Sequence, residues 1–156
     1  MNVFLVEDEE IKAENIAAFM AENYREIKVE RFKSFQSGLK AIVTGEPDLI
    51  LLDMTMTNYD VGPRESGGKE RRYAGREILR QIRRRKISVP VVVITQYERF
   101  EEDGREVDLD TLRSELRDSY PANFVDALYY NASTSDWMEE LGGHIEDTLE
   151  AKSNDT

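Results

Sequence analysis

The chain has no cysteine and a single histidine, His144. The first absence removes disulfides, thiolate nucleophiles and cysteine-based zinc sites. The second leaves too few imidazoles for a Ser-His-Asp triad or a histidine-rich metal centre. No apolar run approaches the roughly 18 residues that a membrane span needs. No basic segment precedes the strand-like opening Val3-Phe4-Leu5-Val6, so a secretory signal is not expected and a cytoplasmic location is. Positive charge is also scarce: 21 Lys plus Arg stand against 32 Asp plus Glu, a net charge of -11, which argues against general nucleic-acid binding. What remains for chemistry is oxygen, on a chain of 156 residues that is 40% hydrophobic and of one-domain size.

Three apolar runs have the composition of strands covered on both faces, as in a parallel sheet. Val3–Val6 stops at Glu7-Asp8-Glu9-Glu10, Leu49–Leu52 stops at Asp53, and Val89–Ile94 stops at Thr95-Gln96. A shorter extended stretch is expected around Lys28 to Phe32, and a last strand over Phe124 to Tyr130. Between them, helical spacing links Ile11, Ala13, Ile16, Ala17, Phe19 and Met20. Short helices are predicted over Leu39 to Val43 and Asp110 to Ser119, a third over Ala74 to Arg85 with Ile78, Leu79 and Ile82 on one face. A final helix carries Trp137, Leu141, Ile145 and Leu149, opened by a capping box at Asp136 and Glu139 and weakened by Gly142-Gly143. Strands alternating with helices predict an α/β three-layer sandwich on a doubly wound, five-stranded parallel sheet. A single domain is expected over residues 1–150, with insertions near 57–73 and 97–110 and a flexible tail at 151–156.

In such folds the functional crevice lies beyond the carboxyl ends of the strands, where strand order reverses. If the first strand lies beside the third, Glu7, Asp8 and Asp53 converge there. Their mutual repulsion calls for a hard cation, and Mg²⁺ characteristically takes one or two carboxylates together with water and phosphate. A cation beside a free carboxylate makes a phosphoryl-transfer site, with the Thr95 hydroxyl able to bond a phosphoryl oxygen. The competing reading is structural: Asp8 and Glu9 serve a helix dipole and Asp53 ends a strand.

These residues resemble a response-regulator receiver domain, the phosphoacceptor module of two-component signalling. The resemblance runs through Val3–Glu9, through Leu49-Ile50-Leu51-Leu52-Asp53-Met54-Thr55-Met56, through Gly75 to Ile82, and through Pro90–Thr95. It implies a flavodoxin-like strand order, 2-1-3-4-5. It further implies that Asp53 accepts a phosphoryl group from a histidine kinase or phosphotransfer protein. Glu7, Asp8, Asp53 and the backbone carbonyl of Thr55 would bind Mg²⁺, and Thr95 would be the switch hydroxyl. A stand-alone receiver is expected, working through an unidentified downstream protein or as a phosphoryl sink.

The sequence departs from the family where a lysine usually ends the last strand. Here that strand reads Ala127-Leu128-Tyr129-Tyr130-Asn131-Ala132, and no Lys or Arg lies between Arg117 and Lys152. Asn131 aligns with the missing lysine and offers an amide without charge. Tyr129 or Tyr130 fills the family's aromatic switch position or simply packs in the core. The stretch from Thr57 to Tyr73 reads as a loop, and its Arg64, Lys69, Arg71 and Arg72 are candidates to replace the lost charge; alternatively it is a plain polar insertion. Arg76, Arg80, Arg83 and Arg84 extend a basic stripe expected to face solvent or to dock an acidic segment such as Glu98–Asp110. Two other function classes remain open: a phosphorylation-independent binding module, and an aspartyl phosphohydrolase or nuclease-like enzyme. The phosphohydrolase pattern would place a second acid two residues after the first, and Asp53 is followed by Met54-Thr55.

Overall fold

The computed structural model describes residues 1–57, 70–71, 74–102 and 104–154. Five parallel strands form the central sheet: β1 (Asn2–Val6), β2 (Lys28–Phe32), β3 (Leu49–Leu52), β6 (Val91–Thr95) and β9 (Phe124–Tyr129). Their spatial order is β2-β1-β3-β6-β9, which is the expected 2-1-3-4-5 when the central strands are counted alone. Strand order reverses between β1 and β3, whose register pairs Val6 with Leu52. The residues just past those two, Glu7 and Asp53, therefore leave the sheet side by side.

Alternation along each strand divides the core in two. Val3, Leu5, Leu49, Leu51, Val92 and Ile94 face α1 (Glu10–Asn23) and α5 (Asp136–Asn154). Phe4, Val6, Ile50, Leu52, Val91 and Val93 face α2 (Phe35–Thr44), α3 (Ala74–Arg84) and α4 (Leu109–Ser119). The three-layer sandwich follows directly. Gly142 sits where α5 meets the end of α1: a Cβ there would stand 3.2 Å from the Tyr24 hydroxyl, which donates to the Gly142 carbonyl at 3.3 Å. The glycine permits that contact and the helix runs through it unbroken.

Several expectations need correction. The segment 97–110, expected as an insertion, carries an antiparallel hairpin of β7 (Arg99–Glu102) and β8 (Arg105–Asp108), with Gly104 at a φ of 76° and buried Phe100 paired with Val107. The stretch 57–73 is closed at its base by a two-residue ladder, β4 (Met56–Thr57) against β5 (Glu70–Arg71). Arg64, Lys69 and Arg72, offered as replacement charges, lie outside the described residues. The tail expected at 151–156 is helical through Asn154, held by Lys152 Nζ to Asp48 Oδ1 at 2.6 Å; residues 155–156 lie outside the described residues. Helix α5 starts at Asp136, so that residue is its first helical position instead of its cap.

The basic stripe is partly used within the fold. Arg76 bonds Glu115 on α4 at 2.6 Å, and Arg105 of the hairpin bonds the other oxygen of that carboxylate at 2.7 Å. Arg83 donates to the Ser119 carbonyl and lies over the Tyr120 ring. Glu115, which receives Arg76, lies beyond the Glu98–Asp110 run. Arg80 bonds Glu77 on its own helix and, like Arg84, is exposed.

Candidate functional site

Three carboxylates meet at the carboxyl edge of the sheet. Glu7 and Asp8 follow β1 and Asp53 follows β3; one oxygen from each lies within 4.8 Å of the others. Backbone bonds hold them there. The Glu7 N–H donates to the Phe32 carbonyl (3.0 Å) and the Asp53 N–H to the Val6 carbonyl (3.1 Å), so both acids are fixed by the sheet that precedes them. Asp53 Oδ1 accepts the Met54 N–H at 2.8 Å. Asp8 Oδ2 accepts the Thr57 N–H at 3.2 Å, which ties the segment after the acceptor strand back to β1. Glu9 caps α1 by accepting the N–H groups of Ile11 and Lys12. The acidic run therefore does both jobs that were set in competition: Glu9 serves the helix, while Glu7 and Asp8 serve the pocket.

A fourth charged group enters from α1. Lys12 is fully buried, and its Nζ lies 2.6 Å from Glu7 Oε1, 2.6 Å from the Ile94 carbonyl oxygen and 3.4 Å from Asp53 Oδ1. An isolated buried ammonium costs several kcal/mol, so partners of this quality are what permit its position. Burial alone would discharge Lys12, but the charges of Asp53 and Glu7 outweigh it and raise its pKa above the ordinary value. Burial, followed by the Asp53 charge, pushes the Glu7 carboxyl up to about 8 against the opposing pull of Lys12. Burial and Asp53 likewise raise the Asp8 carboxyl.

Three carboxylates against one ammonium leave two formal negative charges in the pocket. Closely spaced oxygen ligands with that balance fit a hard divalent cation. The raised proton affinities of Glu7 and Asp8 come first from burial and then from the nearby Asp53 charge.

The family model for the response regulator receiver domain matches residues 3–110. The chain belongs to the response-regulator receiver domain family. Among curated relatives, this receiver domain is 31% identical over 144 residues to the uncharacterized protein y4jR of Sinorhizobium fredii (strain NBRC 101917 / NGR234), covering 90% of this chain and 94% of that protein. It is 28% identical over 143 residues to the Detocs response regulatory protein DtcB of Enterobacter cloacae (strain JD6301), covering 90% and 95%. Among solved structures it is similar to the CheY-like response regulator receiver domain protein of Methanospirillum hungatei JF-1, with a TM-score of 0.64, 14% identity and coverage of 99% and 98%. Receiver domains generally bind Mg²⁺ and interact with kinases or phosphotransfer proteins.

Thr95 is buried at the end of β6, where its Oγ1 accepts the Tyr97 N–H at 3.1 Å and its carbonyl accepts the Tyr130 N–H at 2.7 Å. Thr55 follows Asp53 by two residues, in the turn between β3 and β4. Asn131 serves a local turn, with its Oδ1 accepting the Ser133 N–H at 2.9 Å. Of the two tyrosines, Tyr129 is exposed on β9. Tyr130 is buried, packs against Trp137 at 5.1 Å and accepts a hydrogen bond from Asn15. Lys12 escapes a reading that follows only the apolar period of α1. Its signal is present all the same: Lys12, Ile16 and Met20 recur every four residues, so a lysine occupies the inward stripe.

Proposed function

We propose that this receiver domain accepts a phosphoryl group on Asp53 from a histidine kinase or phosphotransfer protein, in a reaction that depends on Mg²⁺. The observation that carries the reading is the convergence of Glu7, Asp8 and Asp53 oxygens within 4.8 Å at the point where strand order reverses. Glu7, Asp8 and Asp53, with the Thr55 carbonyl, would hold the cation, which supplies positive charge to offset the negative charge that develops in transfer. An Asp53 carboxylate oxygen forms the new bond to phosphorus as the donor's phosphorus–nitrogen bond breaks. The electron pair leaves with the imidazole nitrogen. Thr95, at the neighbouring strand end, is assigned the hydrogen bond to a phosphoryl oxygen, and Asn131 the ordering of the loop after β9. The output is a protein contact or the removal of phosphoryl groups from the donor.

Incubation with acetyl phosphate and Mg²⁺ followed by intact-mass measurement tests this reading. One phosphoryl mass is expected on the wild type and none on Asp53→Asn or after chelation of Mg²⁺. An unmodified wild type would instead support the phosphorylation-independent binding module.

A further inference from the structure

Phosphoryl transfer to Asp53 does not explain why a lysine stands in the wall of its pocket. We propose that Lys12 supplies, from the first helix, the cation that contacts the phosphoryl group taken up at Asp53. This assignment rests on the phosphoacceptor reading above.

Position carries it first. The β9 end and the loop after it deliver no cation, because no Lys or Arg occurs between Arg117 and Lys152. Among the described residues, Lys12 is the basic side chain paired with Asp53, and it arrives from the opposite end of the chain. Its three donors are unequally engaged. The bonds to Glu7 and to the Ile94 carbonyl are short, at 2.6 Å each, whereas the approach to Asp53 is 3.4 Å. The loose contact points at the reacting carboxylate, so a phosphoryl oxygen carried there meets a donor already in place.

Charge carries it second. The phosphoryl group brings roughly two negative charges but takes up the charge of the Asp53 carboxylate, so the adduct adds roughly one to a pocket with a formal excess of two. A divalent cation then leaves roughly one negative charge with Lys12 in place and roughly two without it, and the ammonium is already buried and oriented. In the transfer from acetyl phosphate, an Asp53 oxygen bonds to phosphorus, the phosphorus–oxygen bond to acetate breaks, and acetate leaves with the electron pair. Lys12 donates a hydrogen bond to a phosphoryl oxygen and keeps its proton.

The surroundings of Lys12 also give a readout. Its Nζ lies 5.9 Å from the centroid of the Tyr130 ring, which packs against Trp137, the single tryptophan of the chain. Uptake of acetyl phosphate by Lys12→Met is expected to be about 100-fold slower than by wild type, the usual scale for removing one preorganised donor. Calorimetry should show that Mg²⁺ alone still binds this variant. The Trp137 fluorescence response to beryllofluoride with Mg²⁺ should be lost in Lys12→Met and partly restored in Lys12→Arg. On wild-type protein, which needs no variant to fold, the buried ammonium resonance of Lys12 should shift when beryllofluoride is added to the Mg²⁺-loaded form. Wild-type uptake rates in a folded Lys12→Met, or an ammonium resonance indifferent to beryllofluoride, would overturn the assignment while the phosphoacceptor reading stands. A wild type that takes up no phosphoryl group overturns that reading and this assignment with it.

Discussion

Lys12 Nζ and Asp53 Oδ1 stand 3.4 Å apart, one reaching in from the first turn of α1 and the other at the end of β3. Neither residue could hold its position alone. Sheet hydrogen bonds fix Asp53, and the Glu9 cap fixes the backbone of Lys12. The pocket is thus built by elements that the chain completes early, and the strands that follow close around it.

Gly75, the second residue of α3, is part of that enclosure. Gly75 donates its N–H to the Met54 carbonyl at 3.0 Å, and a Cβ at this position would lie 2.8 Å from both the Asp53 carbonyl oxygen and the Met54 Cα. These are backbone atoms beside the acceptor and have little room to yield. Gly75→Ala is expected to lower stability by about 1–3 kcal/mol despite the better helix propensity of alanine. Gly143, in α5, meets nothing within 4 Å, and Gly143→Ala should raise stability by up to about 1 kcal/mol. Urea denaturation of the two variants checks the contrast; equal shifts of the same sign would contradict it.

A proton would compete with a bound cation at Glu7. Its folded pKa of about 8 lies above the ordinary 4.5, so the unliganded fold binds more protons than the unfolded chain between those values. That contribution to stability is fully present below pH 4.5 and is lost as pH rises through about 8. Cation binding has the opposite slope, because the ligand form is the carboxylate. Mg²⁺ affinity measured by calorimetry should therefore rise between pH 6 and 8 and level off above. An affinity independent of pH across that range would contradict the pocket's electrostatics.

The lone histidine has a structural task at the β9 edge of the sheet. His144 Nε2 lies 3.1 Å from Asp126 Oδ2, joining α5 to β9. The bond to Asp126 raises the His144 pKa above 6.5 in spite of burial. Burial would raise the Asp126 carboxyl, but the bonds from His144 and from the Ala127 N–H outweigh it and hold the group low. With the histidine pKa raised, its stabilisation is complete below pH 6.5 and is lost as pH climbs through the folded value. Thermal melts should show His144→Gln less stable than wild type by about 1 kcal/mol at pH 6, with the gap closing by pH 9. A gap unchanged with pH would refute the charged pair.

Much of this architecture was legible in the residues. Apolar runs ending at Glu7, Asp53 and Thr95 announce strands covered on both faces, and alternation sorts their side chains between the two helical layers. The hairpin of β7 and β8 was obscured because each strand presents one buried apolar residue, Phe100 or Val107, among charges. Its signal was the Asp103-Gly104 pair between them, a turn dipeptide. Lys12 was obscured for a different reason: lysine is read as a surface residue unless its buried partners are known, and those partners come from three separate strands.

We propose that Glu7, Asp8 and Asp53 form one cation pocket in which Asp53 carries the phosphoryl group. A crystal structure of the protein with Mg²⁺ and beryllofluoride tests it most directly. The expected result is a cation bound by these three carboxylates and beryllofluoride on an Asp53 oxygen. Ordered crystals with the cation bound elsewhere, or with Asp53 unmodified at saturating beryllofluoride, would contradict it.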